Sequence, residues 1–283
     1  MIEEILIFGT VQGALLALLA LGFSLVYGVG GILNLAHGAF FLITAYLIFW
    51  LFPFVGFWIA SAIALALVMA IGAATYYGLM KPLQESHIGI VLVTFALAFF
   101  FEQFVKFAWG SRTHIIVPPV LGSVNFLGVN ITYQLILLVI GSVILVTMVS
   151  LFISKSKIGK SIRAVSQDME AAQLVGINTD LVLMTSVMIS ALLVGFAAVL
   201  YAPANFIAPR IGWGYLLLAF AVTIFGGMGS IPGSILGAFI MGYATSFTDY
   251  VISPTFSSII PVVVILVMLL VRPQGLLGKK ELQ

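Results

Sequence analysis

Apolar residues in this chain do not alternate with polar ones; they run. The predominantly apolar stretches fall at 5–28, 35–52, 57–80, 88–110, 132–153, 180–201, 214–229, 233–250 and 257–272. Most are close to the ~20 residues a helix needs to cross the hydrocarbon of a bilayer. A helix on a soluble core would instead carry one apolar stripe. The pattern predicts an all-α, polytopic membrane protein with about 8–9 transmembrane or re-entrant helices. Residues 39–80 have almost no polar break and are too long for one crossing, so Pro53 and Gly56 are expected to mark a turn. The short runs within 214–250 fit either full spans or re-entrant half-helices. Glu3 and Glu4 stand where a secretory signal carries basic residues, and the run behind them is too long for a signal core. The first run is therefore expected to be a retained span.

Composition narrows the class further. Hydrophobic residues are 63% of the chain and charged residues 7%, against about 45–50% and about 25% in a soluble domain. Too few polar side chains remain to cover a water-facing surface, which excludes a soluble enzyme, a disordered chain and a nucleic-acid binder. With 28 glycines, close helix packing is expected. With no cysteine, disulfides, thiolate metal sites and a Cys nucleophile are excluded. There is no GxxxxGK[ST] phosphate loop, no metal-ligand cluster and no nucleophile elbow. His37, His87 and His114 make no spacing motif. A membrane enzyme would need clustered titratable groups, and none is visible.

Where the charges sit sets the expected orientation. Lys155, Lys157, Lys160 and Arg163 share one loop, Lys81 lies in another, and Arg272, Lys279 and Lys280 end the chain. Basic loops stay in the cytoplasm. That rule places the N-terminus outside and the C-terminus in the cytoplasm, requires an odd number of crossings, and favours nine. Lys106, Arg112 and Arg210 then fall on the outer side. Residues 111–131 form the longest outer loop, expected along the membrane surface, and Trp109, Tyr201 and Trp213 read as interface-belt aromatics.

Two segments break the lipid pattern. YGVGGILNLAHGAF (27–40) and FGGMGSIPGSILGAF (225–239) each hold a Gly-Gly pair and end in Gly-Ala-Phe. Gly/Pro interruptions in both halves of a transporter point to a substrate path between structural repeats; small-residue helix packing accounts for them as well. Asn34, His37, Gly38, Gly227 and Gly233 are the candidate pathway residues. Asn34 and His37 share a face if helical, either lining a polar path or capping the cytoplasmic end of the second span. Glu102 and Lys106 sit at i and i+4, suited to an ion pair on the fourth span, either functional or structural. A self-contained carrier coupled to protons or sodium, or a channel for a small neutral solute, would have to use Glu102, His37 or Asp249.

The long polar stretch on the expected cytoplasmic side is KSKIGKSIRAVSQDMEAAQLVGIN, 155–178. After its basic start it reads as a short amphipathic helix. Ile162, Val165, Met169, Ala172 and Leu174 are its apolar positions, with Gly176 as a stop and Asn178 or Thr179 as the next cap. One apolar stripe suits a groove on a soluble partner; a solvated helix that anchors topology fits equally.

This stretch resembles the coupling loop of branched-chain amino acid type ABC importer permeases, of the LivH-like kind. YGVGGILNLAHGAF, FGGMGSIPGSILGAF and VRPQGLLGKK resemble that family's other landmarks, so the likeness covers nearly the whole of 1–283, read as one permease domain. The short length, without a long N-terminal extension, points to the LivH-like type. The resemblance implies a prokaryotic inner-membrane, multi-pass subunit that is not itself an enzyme. It implies a heterodimer with a second homologous permease, two cytoplasmic ATPase subunits that use the ATP, and an extracytoplasmic substrate-binding protein. No cofactor is bound directly and no nucleic acid is involved. Gly159, Arg163, Ala164, Asp168, Ala171, Ala172 and Gly176 would couple to the ATPase. Many relatives carry an acid after the His-Gly of the first motif; here it is Ala39, which bears on solute choice. The implied cargo is branched-chain amino acids or related small amphipathic solutes such as urea, short amides or aromatic acids. Few fixed charges in the spans favour a neutral or zwitterionic solute.

Overall fold

The computed structural model describes residues 1–257 and 259–278. Its helices are α1 (Ile2–Gly30), α2 (His37–Val55), α3 (Phe57–Thr75), α4 (His87–Trp109), α5 (Tyr133–Lys155), α6 (Lys157–Gln167), α7 (Met169–Leu174), α8 (Thr179–Tyr201), α9 (Ile211–Gly226), α10 (Ile231–Phe247), α11 (Pro254–Ser257) and α12 (Ile260–Val271). Counting the turns that extend them, eight stretches among the described residues are long and apolar enough to cross a membrane. The run expected at 214–229 forms α9, a shorter apolar helix of 16 residues. At 1.5 Å per residue α9 spans only ~24 Å, less than a full hydrocarbon core. The chain is a polytopic helical membrane protein. Its strands are confined to two small antiparallel pairs: β1 (His114–Ile115) with β4 (Phe206–Ile207), and β2 (Ser123–Phe126) with β3 (Val129–Thr132).

Helix α1 is the axis of the bundle. Every residue from Leu15 to Leu21 is buried, which is why its sequence is apolar on all sides rather than striped. It packs chiefly against α10 and α8, and also against α5 and α9. The α1–α10 crossing is set by glycine: a Cβ on Gly242 would lie 2.7 Å from Gly13 Cα and 2.7 Å from the Gly9 carbonyl oxygen. Backbones approach this closely only where both partners lack side chains. By contrast α4 and α5 bury little of their length, so one flank of α5 is open.

The α2–α3 turn is made by Gly56 alone, at φ 76°, a left-handed conformation that glycine adopts without strain. Pro53, expected to break the chain there, sits inside the last turn of α2. Its ring needs clearance only from the preceding turn.

Side-chain contacts sort the helix ends into two sides. Lys81 Nζ lies 2.7 Å from Asp180 Oδ2, Gly28 packs on Gly229, and the amides of Leu276 and Leu277 donate to the carbonyls of Phe225 and Gly226. The ends near residues 30, 81, 180, 227 and 272, and the loop carrying α6 and α7, therefore share a side. On the opposite side, Ser246 Oγ donates to the Ile5 carbonyl, Phe8 stacks on Tyr250, and β1–β4 and β2–β3 cap the bundle. We call these the basic side and the hairpin side. Lys81, Lys155, Lys157, Lys160, Arg163 and Arg272 lie on the first; Lys106, Arg112 and Arg210 lie on or near the second. Lys279 and Lys280 fall outside the described residues.

The β2–β3 hairpin turns through Leu127 (φ 52°) and Gly128 (φ 81°), with Asn125 Oδ1 accepting from the Gly128 amide at 3.0 Å. Two consecutive residues with positive φ are the signature of the tight hairpin turn that matches strand twist.

Candidate functional site

The first polar break folds differently from a simple inter-helical loop. His37 is 1% exposed, and its Nε2 lies 2.9 Å from the Leu19 carbonyl oxygen. Leu19 is eleven residues before the end of α1, a depth of roughly 16 Å. Residues 31–36 thus double back into the bundle, and α2 starts in its interior rather than at its edge. Asn34 and His37 do stand at the end of the second span, but that end lies deep in the bundle; Asn34 belongs to the returning segment, so the two do not share a helical face.

Irregular backbone at that depth is tolerated only where protein satisfies its polar groups. Here it does. The Leu35 amide donates to Thr94 Oγ1 at 3.1 Å, and the Ala36 amide donates to Asn34 Oδ1 at 3.0 Å. His37 Nδ1 pairs with Ser190 Oγ at 3.1 Å. Both ring nitrogens are therefore engaged within the bundle, tying α2 to α1 and α8. Asn34 Nδ2 remains buried without a partner.

The candidate glycines serve helix contacts. Gly38 faces Gly212 across the α2–α9 crossing, and Gly233 faces Gly226 across α9–α10. Gly227, at φ 106°, packs on Gly275 and Gly278. The structure brings the two broken segments together at Gly28 and Gly229, yet it does not gather Gly38, Gly227 and Gly233 around one cavity.

On the opposite side a charged cluster closes over the start of α9. Glu102, 4% exposed, receives Lys106 Nζ at 2.5 Å and Trp213 Nε1 at 2.5 Å, with Arg210 Nε at 3.7 Å. The ion pair expected from the i, i+4 spacing exists, but its second half comes from α9 and the segment before it. Trp213 spends its indole donor on this carboxylate. Ionised Glu102 is thereby matched in place, as a buried charge must be.

The polar stretch 155–178 folds as two helices, not one. Asp168 ends α6 at φ −157°, ψ 109°, and begins α7 by accepting from the Ala171 amide at 2.9 Å. Ile162, Val165 and Ala172 are buried in the chain's own second core, beside Tyr76, Met80, Ile153 and Leu183. Met169 and Ala164 pack partly against it. Gly159 is pressed on the carbonyls of Phe152 and Ile153, and the Arg163 guanidinium donates to the Ile153 carbonyl. An arginine over the last carbonyls of α5 also suits that helix's negative end.

The apolar stripe thus fastens the α6–α7 loop to its own bundle. What it presents outward is a basic face and an apolar tip, with Leu174 88% and Val175 77% exposed. Leu174 was expected on the stripe; the break at Asp168 turns it away. Gly176 stops α7 at φ 86°, and Asn178 Oδ1 caps α8 through the Leu181 amide at 3.0 Å.

A feature that apolar runs conceal is a cleft of about 570 Å³ between α1, α5 and α10, lined among others by Ala14, Ser142, Thr147, Ser150, Ser154 and Phe239. A second, of about 400 Å³, continues between α1 and α5 toward the β2–β3 hairpin, lined by Thr10, Phe126, Leu135 and Val139 among others. The Ser142, Ser150 and Ser154 spacing, multiples of four, is the signal from which the cleft face of α5 was readable.

The family model described as branched-chain amino acid transport system / permease component matches residues 5–269. The chain belongs to that family. Permease protein BraD of the high-affinity branched-chain amino acid transport system of Pseudomonas aeruginosa is 29% identical, over 98% of this chain and 96% of its own length. Permease protein LivH of the corresponding Escherichia coli K12 system is 30% identical, over 97% and 95%. Among solved structures, PsaBC from Streptococcus pneumoniae in complex with Fab shares the fold, with a TM-score of 0.55 at 12% identity, over 96% of this chain and 93% of that one. Curated relatives of this permease family are thus transport subunits rather than enzymes, and the family description implies partner subunits.

Proposed function

We propose that this permease is a transmembrane subunit of an ATP-driven importer in a prokaryotic inner membrane. In this reading it carries branched-chain amino acids, or related small amphipathic solutes, into the cytoplasm. The basic side faces the cytoplasm, because lysine and arginine concentrate there; the N-terminus is then outside. A second homologous permease covers the open flank of α5. Two cytoplasmic ATPase subunits supply the work, and an extracytoplasmic binding protein delivers solute to the hairpin side. ATP is bound by those partners, since this sequence carries no phosphate loop.

The observation that carries the reading is the α6–α7 loop. It is packed on the bundle through Ile162, Val165 and Ala172, yet it leaves Leu174 and Val175 exposed. Two large apolar side chains held out on a basic, fastened element suit a docking partner. Force applied there passes through Arg163 and Gly159 to the end of α5. Of the residues expected to couple, Arg163, Ala171 and Gly176 are exposed, Asp168 shapes the element, and Gly159, Ala164 and Ala172 seat it. An ion-coupled carrier is less well supported. Both nitrogens of His37 and both oxygens of Glu102 are already engaged, leaving half-buried Asp249 as its remaining candidate.

The test is the complete transporter reconstituted in liposomes, with labelled leucine and a panel of amides and aromatic acids. Leu174→Asp with Val175→Asp is expected to leave the fold intact, because neither side chain is buried, and to abolish ATP-driven uptake. Uptake at the unmodified rate would refute the docking role. Solute accumulation by this chain alone, under an ion gradient, would refute the importer reading.

A further inference from the structure

We infer that the hydroxyl-lined cleft between α1, α5 and α10 is the solute-binding stretch of the pathway, with Ser142 its innermost hydrogen-bonding residue. This rests on the importer reading and places its solute.

Ser142 sits about 14 Å along α5 from Tyr133, near mid-depth. It is 1% exposed, lines the cleft, and its Oγ has no hydrogen-bond partner. Several other buried hydroxyls satisfy themselves on the preceding turn of their own helix: Thr44 on Phe40, Thr94 on Ile90, Ser186 on Val182, Thr223 on Ala219. That back-bonding is the default for Ser and Thr in apolar helices. A buried hydroxyl left free of it is destabilising unless something else bonds it. Ser24, Ser61 and Ser234 also lack a partner, but of these serines only Ser142 lines the cleft.

From Ser142 the cleft continues past Thr147 and Ser150 to Ser154, roughly 18 Å along the helix toward the basic side. The opposite wall is Ala14, Ala17, Ile235 and Phe239. No acid or base lines it. Hydroxyls both donate and accept, so they can replace the water around a carboxylate and an ammonium alike, while the apolar wall takes a side chain. A zwitterion or neutral amphipathic molecule fits that chemistry; a solute with net charge would enter without a counter-charge. Ile144 and Met148, among the most exposed positions of the same helix, line neither cleft and carry no hydroxyl.

The chain has no cysteine, so a thiol introduced anywhere is the only one it carries. In the complete importer, Ser142→Cys, Thr147→Cys and Ser150→Cys are treated with a small water-borne methanethiosulfonate reagent. Ile144→Cys and Met148→Cys serve as lipid-facing controls. Thiols that meet water ionise; one pKa unit of desolvation slows the reaction about tenfold, so the cleft thiols are expected to react at least ~tenfold faster than the controls. Their modification is expected to stop uptake, and saturating transported solute to protect them. Cleft thiols no more reactive than the controls would overturn the inference, as for a cleft filled by lipid. So would thiols reactive in this chain alone but inert in the complete importer, as for a cleft filled by a helix of the second permease. Uptake by the unmodified complex is measured alongside: its absence refutes the importer reading, whereas its presence with unreactive cleft thiols refutes only this site.

Discussion

Replacing Gly242 by alanine is expected to pry apart the central helix pair. The added Cβ would stand 2.7 Å from Gly13 Cα and from the Gly9 carbonyl oxygen. Contact between such atoms begins near 3.5 Å, so α1 and α10 must separate by roughly 1 Å at the crossing. The atoms met are backbone and have no rotamer to escape into. A gap of that size forfeits a quarter to a half of the dispersion energy of each contact it opens. Overpacking of this kind costs about 1–3 kcal/mol, and alanine recovers up to ~1 kcal/mol through its helix propensity. A net loss of about 1–2 kcal/mol is expected, and Gly242→Leu should lose more. The matched control is Gly214→Ala in α9, where nothing lies within 4 Å of the new Cβ and only the propensity gain remains. Denaturant unfolding in detergent micelles compares the two. If Gly242→Ala were as stable as Gly214→Ala, close backbone contact would not hold α1 to α10.

Glu102→Ala removes the shared anion of Lys106, Trp213 and Arg210. Breaking a buried pair costs about 3–5 kcal/mol, toward the lower figure here because Lys106 reaches the surface; unfolding in detergent should show it, and Glu102→Gln should recover part by keeping the Trp213 bond. Asp180→Asn should cost less. Its pair with Lys81 is partly exposed and weakened by salt, although Tyr76 OH and Gln84 Nε2 also donate to Asp180; a stability difference that ignores ionic strength would contradict this.

Much of the site was written locally. The basic cluster 155–163 marked a surface loop, and Gly176 and Asn178 marked where α7 stops and α8 starts. The i, i+4 spacing of Glu102 and Lys106 foretold their pair. What spacing could not supply was the third partner: Trp213 is 111 residues away. Nor could it say which face of 155–178 turns inward. The stripe of Ile162, Val165 and Ala172 was legible, but it suited a foreign groove and its own bundle equally. Only the presence of Tyr76, Met80 and Leu183 beside it decided the matter. On α5 both flanks are apolar enough for lipid, so the spacing of Ser142, Ser150 and Ser154 was the one local sign of the cleft face, and only α1 and α10 beside it made it a cleft.

The amino-acid sequence by itself determined that the chain is a bundle of membrane helices, roughly where each begins, and which ends carry positive charge. These follow from hydrophobic length and from the cost of moving charge across lipid, both properties of short stretches. The tertiary structure decided the depth at which α2 starts, the triple tie on Glu102, and the open flank of α5. Each depends on a residue brought from far along the chain to satisfy, or to leave unsatisfied, a polar group that lipid cannot serve.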